Sequence, residues 1–439
     1  MRFVGPVLAL LIGLLVTPAL GQIEYNVPWV RHGVAFTPVT QVFIGGENSA
    51  LPTTAVTRYS FPLVFSNAVW QTTEPPTEAI VLAGTISELR VQLSQSVGTG
   101  PDAARYRIRH CDPTCAPAAD DVECQVVSGS SNCTDLVSSF AVATGDRLTL
   151  QLITSGTPAA GTKSFWSFKW VGAASNESML AMIGYMDGGS VTECPYAGNP
   201  GFLSTSCGLS QDISLPAASD FNITQLWARN QTELGATCQR VTLFKNGSAD
   251  STFQVDLTGA VGNQSDLTGG PVSFLTSSIP DHATVQIDPA ATTCGSTGAA
   301  TNSYISFTLG LTNTSQHFMT GGCIGAGPST SATNYNAPTG GLGWNATESL
   351  VDAIVDAFTQ KGFAAQIDTA PGVGKSWAFS IMDDTAATFG CSIADTNSTC
   401  NGSGSSPIIA ASLVDLRSIP TGTPTGFADM CWALSGTGG

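Results

Sequence analysis

The feature that most constrains this chain is an internal repeat. The run Leu89-Arg-Val-Gln-Leu93 recurs as Leu226-Trp-Ala-Arg-Asn230 and again as Phe363-Ala-Ala-Gln-Ile367, 137 residues apart each time. A glycine follows each at the same distance: Gly98, Gly235 and Gly372. Between copies one and three the register runs without a gap from Trp70 to Gly100. It matches Trp70-Gln-Thr-Thr-Glu74 to Trp344-Asn-Ala-Thr-Glu348 and Ala79-Ile-Val81 to Ala353-Ile-Val355. With small gaps, Asp146-Arg-Leu-Thr-Leu-Gln151 answers Asp281-His-Ala-Thr-Val-Gln286. Copies open near a glycine pair (Gly45-Gly46, Gly321-Gly322) and close on an aromatic run such as Phe165-Trp-Ser-Phe-Lys-Trp170. A repeat of this length is one folded unit used three times. The predicted units are 35–172, 173–313 and 314–439, after a signal peptide at 1–21 and a lead-in at 22–34.

Within a copy the apolar period is two. Tyr106 and Ile108 alternate with Arg105, Arg107 and Arg109, while Leu148, Leu150 and Leu152 alternate with Thr149 and Gln151. Such short runs between Gly, Asn and Pro clusters predict sandwiches of antiparallel strands. Residues 348–358 show a helical apolar pattern, but their counterpart in copy one contains Pro75-Pro76, which a helix interior excludes. A short turn leading into a strand is predicted there. Leu89, Val91 and Leu93 should face inward and Arg90 and Gln92 outward, with Phe363, Ala365 and Ile367 inward likewise.

Arg2, the apolar stretch from Val7 to Val16 and the small residues Ala19 and Gly21 have the layout of a cleaved secretory signal. The mature chain is therefore expected outside the cell, with no membrane insertion after cleavage. Twelve cysteines, none in a CxxC pair, then predict disulfides. Ten Asn-x-Ser/Thr sequons predict a glycosylated surface, each site solvent-exposed: Asn132, Asn176, Asn222, Asn230, Asn246, Asn263, Asn313, Asn345, Asn397 and Asn401. A net charge of −16 from 11% charged residues leaves no basic patch for nucleic acid. The four histidines are scattered, so no metal site and no cofactor are expected.

With its constant period, its glycine-turned hairpin after the Leu89–Leu93 strand and its closing aromatic strand, the chain resembles tandem jelly-roll repeats. These occur in exported surface, fibre and virion proteins of bacteria, phages and large viruses. More distantly it is similar to the C1q/TNF-like head architecture. The resemblance covers residues 35 to 436 and implies an all-β fold of three tandem antiparallel jelly-roll β-sandwich domains. It carries over no family's binding residues.

Cys124–Cys133 and Cys391–Cys400 span nine residues each at equivalent places in copies one and three, so both are expected to be bonded. The remaining pairs suggested are Cys111–Cys115, Cys194–Cys207, Cys238–Cys294 and Cys323–Cys431. The last would join the first and final strands of copy three, neighbours in many jelly rolls.

Candidate chemistry is sparse. Ala370-Pro-Gly-Val-Gly-Lys-Ser376 resembles a phosphate loop but has Thr369 where the first glycine belongs, and a strand rather than a helix follows. Adjacent residues on a strand point to opposite faces, so neither Asp120-Asp121 nor Asp383-Asp384 converges on a substrate as an acid/base pair, and both are read as solvated loops. His282, beside Asp281, has Arg147 at its repeat position. Trp70, Trp166, Trp227 and Trp344 could stack on sugars, but the repeat ties Trp70 to Trp344 and favours a core role.

No catalytic residue is assigned, and a non-enzymatic structural subunit of an extracellular fibre, appendage or surface coat is expected. Its partners would be copies of itself or other surface proteins. The alternative is an adhesive or lectin-like protein binding glycans through sandwich-end loops, and a hydrolase with dispersed residues ranks third. The short inter-copy connections allow a rod, suited to a fibre, or a closed pseudo-threefold globule, suited to a binding head. The different cysteines of each copy favour the globule.

Overall fold

Seven strands recur in each third of the chain. The first set is β1 (Pro38–Glu47), β2 (Gly84–Leu93), β3 (Ala103–Cys111), β4 (Val122–Val127), β5 (Asn132–Val142), β6 (Arg147–Ser155) and β7 (Ser164–Ser175). The second is β8 (Glu177–Met186), β9 (Phe221–Asn230), β10 (Cys238–Lys245), β11 (Ser248–Thr258), β12 (Gly262–Asp266), β13 (His282–Asp288) and β14 (Ser303–Thr312). The third is β15 (Phe318–Ile324), β16 (Phe358–Ile367), β17 (Gly372–Asp383), β18 (Ala386–Asp395), β19 (Thr399–Ile408), β20 (Leu413–Thr421) and β21 (Met430–Gly438). This computed structural model describes residues 38–438 apart from 64, 67–69, 112–120, 187–193, 197–198, 205–214, 232–237, 259–260, 278–279, 289–302, 314–316 and 341–342.

Each set forms two antiparallel sheets. Sandwich 1 has β1-β7-β2-β5 facing β6-β3-β4, sandwich 2 has β8-β14-β9-β12 facing β13-β10-β11, and sandwich 3 has β15-β21-β16-β19 facing β20-β17-β18. Adding seven to every label turns one sandwich into the next. The chain is therefore all-β, three tandem jelly-roll sandwiches, with no α-helix among the described residues. The helical pattern at 348–358 resolves as a 3-10 turn, Glu348–Leu350, before a strand piece at Ala353–Ile354; Pro75–Thr77 makes the same turn in sandwich 1.

Tryptophans explain one of the opening glycines. Trp166 on β7 donates its indole N–H to Pro62 O at 2.8 Å, and Trp432 on β21 donates likewise to Pro338 O at 2.7 Å. A Cβ on Gly45 would sit 2.3 Å from Trp166 Nε1, so only glycine lets the ring cross β1. Trp70 and Trp344 pack beside these rings at 6.3 and 6.5 Å between centroids.

Each core borrows from the next sandwich. Met179, Ala181 and Ile183 of β8 enter the core of sandwich 1. Met319, Cys323, Ala364, Cys431 and Ala433 of sandwich 3 enter the core of sandwich 2, and Val39, Val42, Ile44 and Phe165 of sandwich 1 enter that of sandwich 3. Three seams in this cyclic order close a ring. Two bear the same hydrogen bond at repeat-equivalent acceptors: Ser167 Oγ to Ile354 O and Thr308 Oγ1 to Ile80 O, both 2.7 Å. The third, Ser435 Oγ to Ala218 O at 3.1 Å, is shifted by one residue at the acceptor. At the centre lies fully buried Gln41. Its amide donates to Met179 O and Met319 O and accepts from Met179 N, joining the first strands of all three sandwiches.

Closure corrects one expectation about faces. Leu89, Val91 and Leu93 are buried, as are Phe363, Ala365 and Ile367. Arg90, however, is 5% exposed, and Gln92 is half-buried rather than outward in water. Ala364 and Gln366 are buried too. Arg90 and Ala364 point away from their own core but into the neighbouring sandwich, so these strands are covered on both sides.

Candidate functional site

The open edge of each sandwich, where the two sheets part, carries a clasp. Cys124 on β4 is bonded to Cys133 on β5, and Cys391 on β18 to Cys400 on β19. Both bonds cross from one sheet edge to the other. Cys323 and Cys431 face each other in register on β15 and β21 and are bonded. Cys111 and Cys238 are each engaged in a further disulfide. Cys115, Cys207 and Cys294 lie outside the described residues, as does the side chain of Cys194.

Sandwich 2 has no cysteine at this edge and relies on a carboxylate. Asp266 accepts backbone N–H groups of Gln254, Thr268 and Gly269, as Asp135 in sandwich 1 accepts those of Glu123, Val137 and Ser138. Burial opposes the charge, but these hydrogen bonds outweigh it and hold both carboxyls below the ordinary Asp range. Asp266→Ala should therefore cost about 1.5–3 kcal/mol, the worth of hydrogen bonds to a charged group. Asp135→Ala, backed by Cys124–Cys133, should open its edge less. Amide exchange at Gln254 and Glu123 measures the difference, and equal acceleration would contradict it.

The seam between sandwiches 1 and 2 is built on Glu78, which is 4% exposed. Its Oε2 lies 2.7 Å from Arg147 Nη1 and 2.8 Å from Arg229 Nη2. Gln231 donates to Glu78 O at 2.8 Å, and Asn263 bridges Arg229 Nη1 to Gly145 O. A cleft of about 370 Å³ opens there between Asp146, Arg147, Arg229, Val261 and Asn263.

Sandwich 3 inverts the corresponding chemistry. In sandwich 1, Arg109 stands opposite Thr149 on the adjacent strand and binds Glu74. At the same places sandwich 3 has Met382 opposite Asp415, with Asp352 and Glu348 beside it. Asp415 is fully buried beside Asp352 and Glu348, carboxyls with which it can bond only by sharing a proton. Burial, then repulsion from Asp352 and Glu348, pushes its pKa up to about 9; burial and Glu348 push Asp352 to about 7. The folded state thus keeps protons that the unfolded chain releases above about pH 4. This stabilisation is complete below that pH and is lost as pH rises through about 9, with a slope of about 1.4 kcal/mol per pH unit for each proton held. Asp415→Asn should flatten the alkaline limb of a stability–pH curve, and an unchanged limb would contradict the assignment.

The other sequence candidates separate. Asp121 is 8% exposed and 3.4 Å from Arg107 Nε, a correction to its expected place on a solvated loop: it lies at the mouth of β4, where burial raises its pKa. Asp120 lies outside the described residues. Asp384 is exposed and turns the β17–β18 hairpin at φ 54°. Gly372–Ser376 is part of β17, and no helix follows it. Trp70 and Trp166 are buried, and Trp227 and Trp344 half-buried.

The sequons divide in a way the sequence did not foresee. Asn132, Asn246, Asn397 and Asn401 are exposed, and Asn176, Asn222, Asn263 and Asn345 are half-buried. Asn230 and Asn313 are 1% and 3% exposed, correcting the expectation that every site is open. Asn230 Oδ1 accepts Gly262 N, and Asn313 donates its side-chain amide to Ser219 Oγ. A sequon fixes the chemistry of the acceptor, whereas exposure depends on the strand's neighbours. Protein secreted from a glycosylating host should carry sugar on Asn132 and Asn397 and none on Asn230 or Asn313. Glycopeptide mapping that finds sugar on either buried site would contradict this fold.

No family model matches the chain, and no curated protein does. Among solved structures, the major capsid protein P2 of bacteriophage PM2 matches at 8% identity, over 62% of this chain and 97% of that one, with a TM-score of 0.18. A PNGF-II structure matches at 8% identity over 59% of this chain and 65% of that one, with a TM-score of 0.17. A structure of infectious bursal disease virus, Gx strain, matches at 9% identity over 92% and 81%, also with a TM-score of 0.17. Likeness this low assigns neither family nor function.

Proposed function

We propose that this chain is a non-enzymatic building block of an extracellular surface coat, exported, disulfide-stabilised and glycosylated at its exposed sequons. The observation that carries the reading is ring closure: three sandwiches share their cores cyclically and meet at Gln41. A closed block offers three similar flanks around one axis, the geometry of a tile with neighbours in a plane, whereas a linear fibre needs a head and a tail. The disulfide clasps at the edges of sandwiches 1 and 3 add the durability that an exposed coat needs.

An adhesive, lectin-like head remains the second reading, because a closed globule also suits a binding head. Burial of Trp70 and Trp166, two of its four candidate sugar platforms, weighs against it. Negative-stain imaging of the secreted protein at rising concentration separates the two. Ordered sheets or shells support the coat. Monodisperse particles that bind a glycan array saturably would overturn it in favour of recognition.

A further inference from the structure

Four charged side chains meet where sandwich 1 closes on sandwich 3. Lys169 Nζ lies 2.6 Å from Asp356 Oδ2 and 2.8 Å from Glu88 Oε1, and Arg90 Nη2 lies 3.1 Å from Asp356 Oδ1. The side chains of Asp356, Arg90 and Lys169 are 4%, 6% and 15% exposed, so bulk water is largely kept from the contact. Glu88 reaches it by an unusual route. It is a non-glycine residue at φ 58°, on a bulge where β2 slips register against both β5 and β7. Such a bulge re-aims one side chain at a cost in backbone strain, which an ordinary surface ion pair does not require. The group occurs once: the repeat positions of Arg90 hold Trp227 and Ala364.

We infer that Lys169 and Asp356 condense into an isopeptide bond that closes the ring covalently. The neutral Lys169 amine attacks Asp356 Cγ, and negative charge develops on Oδ1, which Arg90 faces. Glu88, in contact with the amine, accepts a proton from Nζ and returns it to Oδ2, which departs as water. One C–N bond forms, one C–O bond breaks and one water leaves, with no oxidant, metal or cofactor consumed. Groups held in contact react as if at an effective molarity of about 10⁵–10⁸ M, and the buried setting slows the reverse hydrolysis.

In the resting site, burial opposes the charge on Lys169, but its contacts with Asp356 and Glu88 outweigh burial and hold its pKa above the ordinary value. The same balance holds Asp356 below the usual carboxylate range. The reactive neutral pair is thus a minor species, reached by moving one proton across the Lys169–Asp356 contact. Bond formation therefore follows folding.

Intact mass of the full secreted chain, after deglycosylation and disulfide reduction, tests this directly. The aged native protein should be lighter than its sequence by one water, and digestion should yield a branched peptide joining Lys169 to Asp356. Lys169→Arg, which keeps the charge but cannot form the amide, should show the full mass while eluting as the native chain does. Glu88→Gln, which keeps the Lys169–Asp356 contact if the arginine variant misfolds, should lose its water at least tenfold more slowly. A native chain of full mass, a deficit persisting in Lys169→Arg, or an unchanged rate in Glu88→Gln would overturn the assignment.

Discussion

Replacing Phe363 with Ala should lower the stability of the chain by about 3–5 kcal/mol, the cost of emptying a buried aromatic site. The ring is fully buried in the third core, on a strand whose next residue, Ala364, enters the second core. With both faces of β16 packed, the backbone has little freedom to collapse into the cavity, which places the cost toward the upper end of that range. Chemical denaturation followed by tryptophan fluorescence is the measurement. A loss under about 1 kcal/mol would mean that the ring does not face the core.

Glu78→Ala should be comparably damaging, for an electrostatic reason. Removing one partner of a buried ion pair costs about 3–5 kcal/mol, because the remaining charge stays buried without compensation. Here two guanidinium groups, from Arg147 and Arg229, would lose their shared carboxylate. The effect should concentrate at the seam, so hydrogen exchange should rise in β9 and at Thr308 and Ile80 before it rises in β10 or β13. Glu78→Gln, equal in size but uncharged, should behave like the alanine variant. A neutral outcome for both would remove this pair from the forces holding sandwiches 1 and 2 together.

The strand sets, the turn at 348–350 and the paired cysteines at the open edges could be read from a period of two within a period of 137. What could not be read lies at the seams. Arg90 alternates with Leu89 and Val91 as a solvent-facing residue would, and nothing local announces that a third sandwich covers it. Asp135 and Asp266 perform the same task but lie 131 residues apart rather than 137, so a gapless register passes over them. The Asp415 cluster was hidden by the reverse effect. Thr149 and Arg109 at the equivalent places gave no hint that sandwich 3 would bring buried acids together there. Glu88 became visible only through a bulge, which no side-chain pattern encodes.

Gln41 carries a consequence for synthesis. Its amide is satisfied by Met179 O, 138 residues later, and by Met319 O, 278 residues later. Translation at about 5–20 residues per second puts roughly 15–55 seconds between the appearance of Gln41 and that of its last partner. During that interval Val42, Ile44 and Phe165, which end in the core of sandwich 3, have no neighbour to cover them. The first sandwich thus waits with an adhesive flank, and its yield depends on whatever shields that flank until the last third emerges.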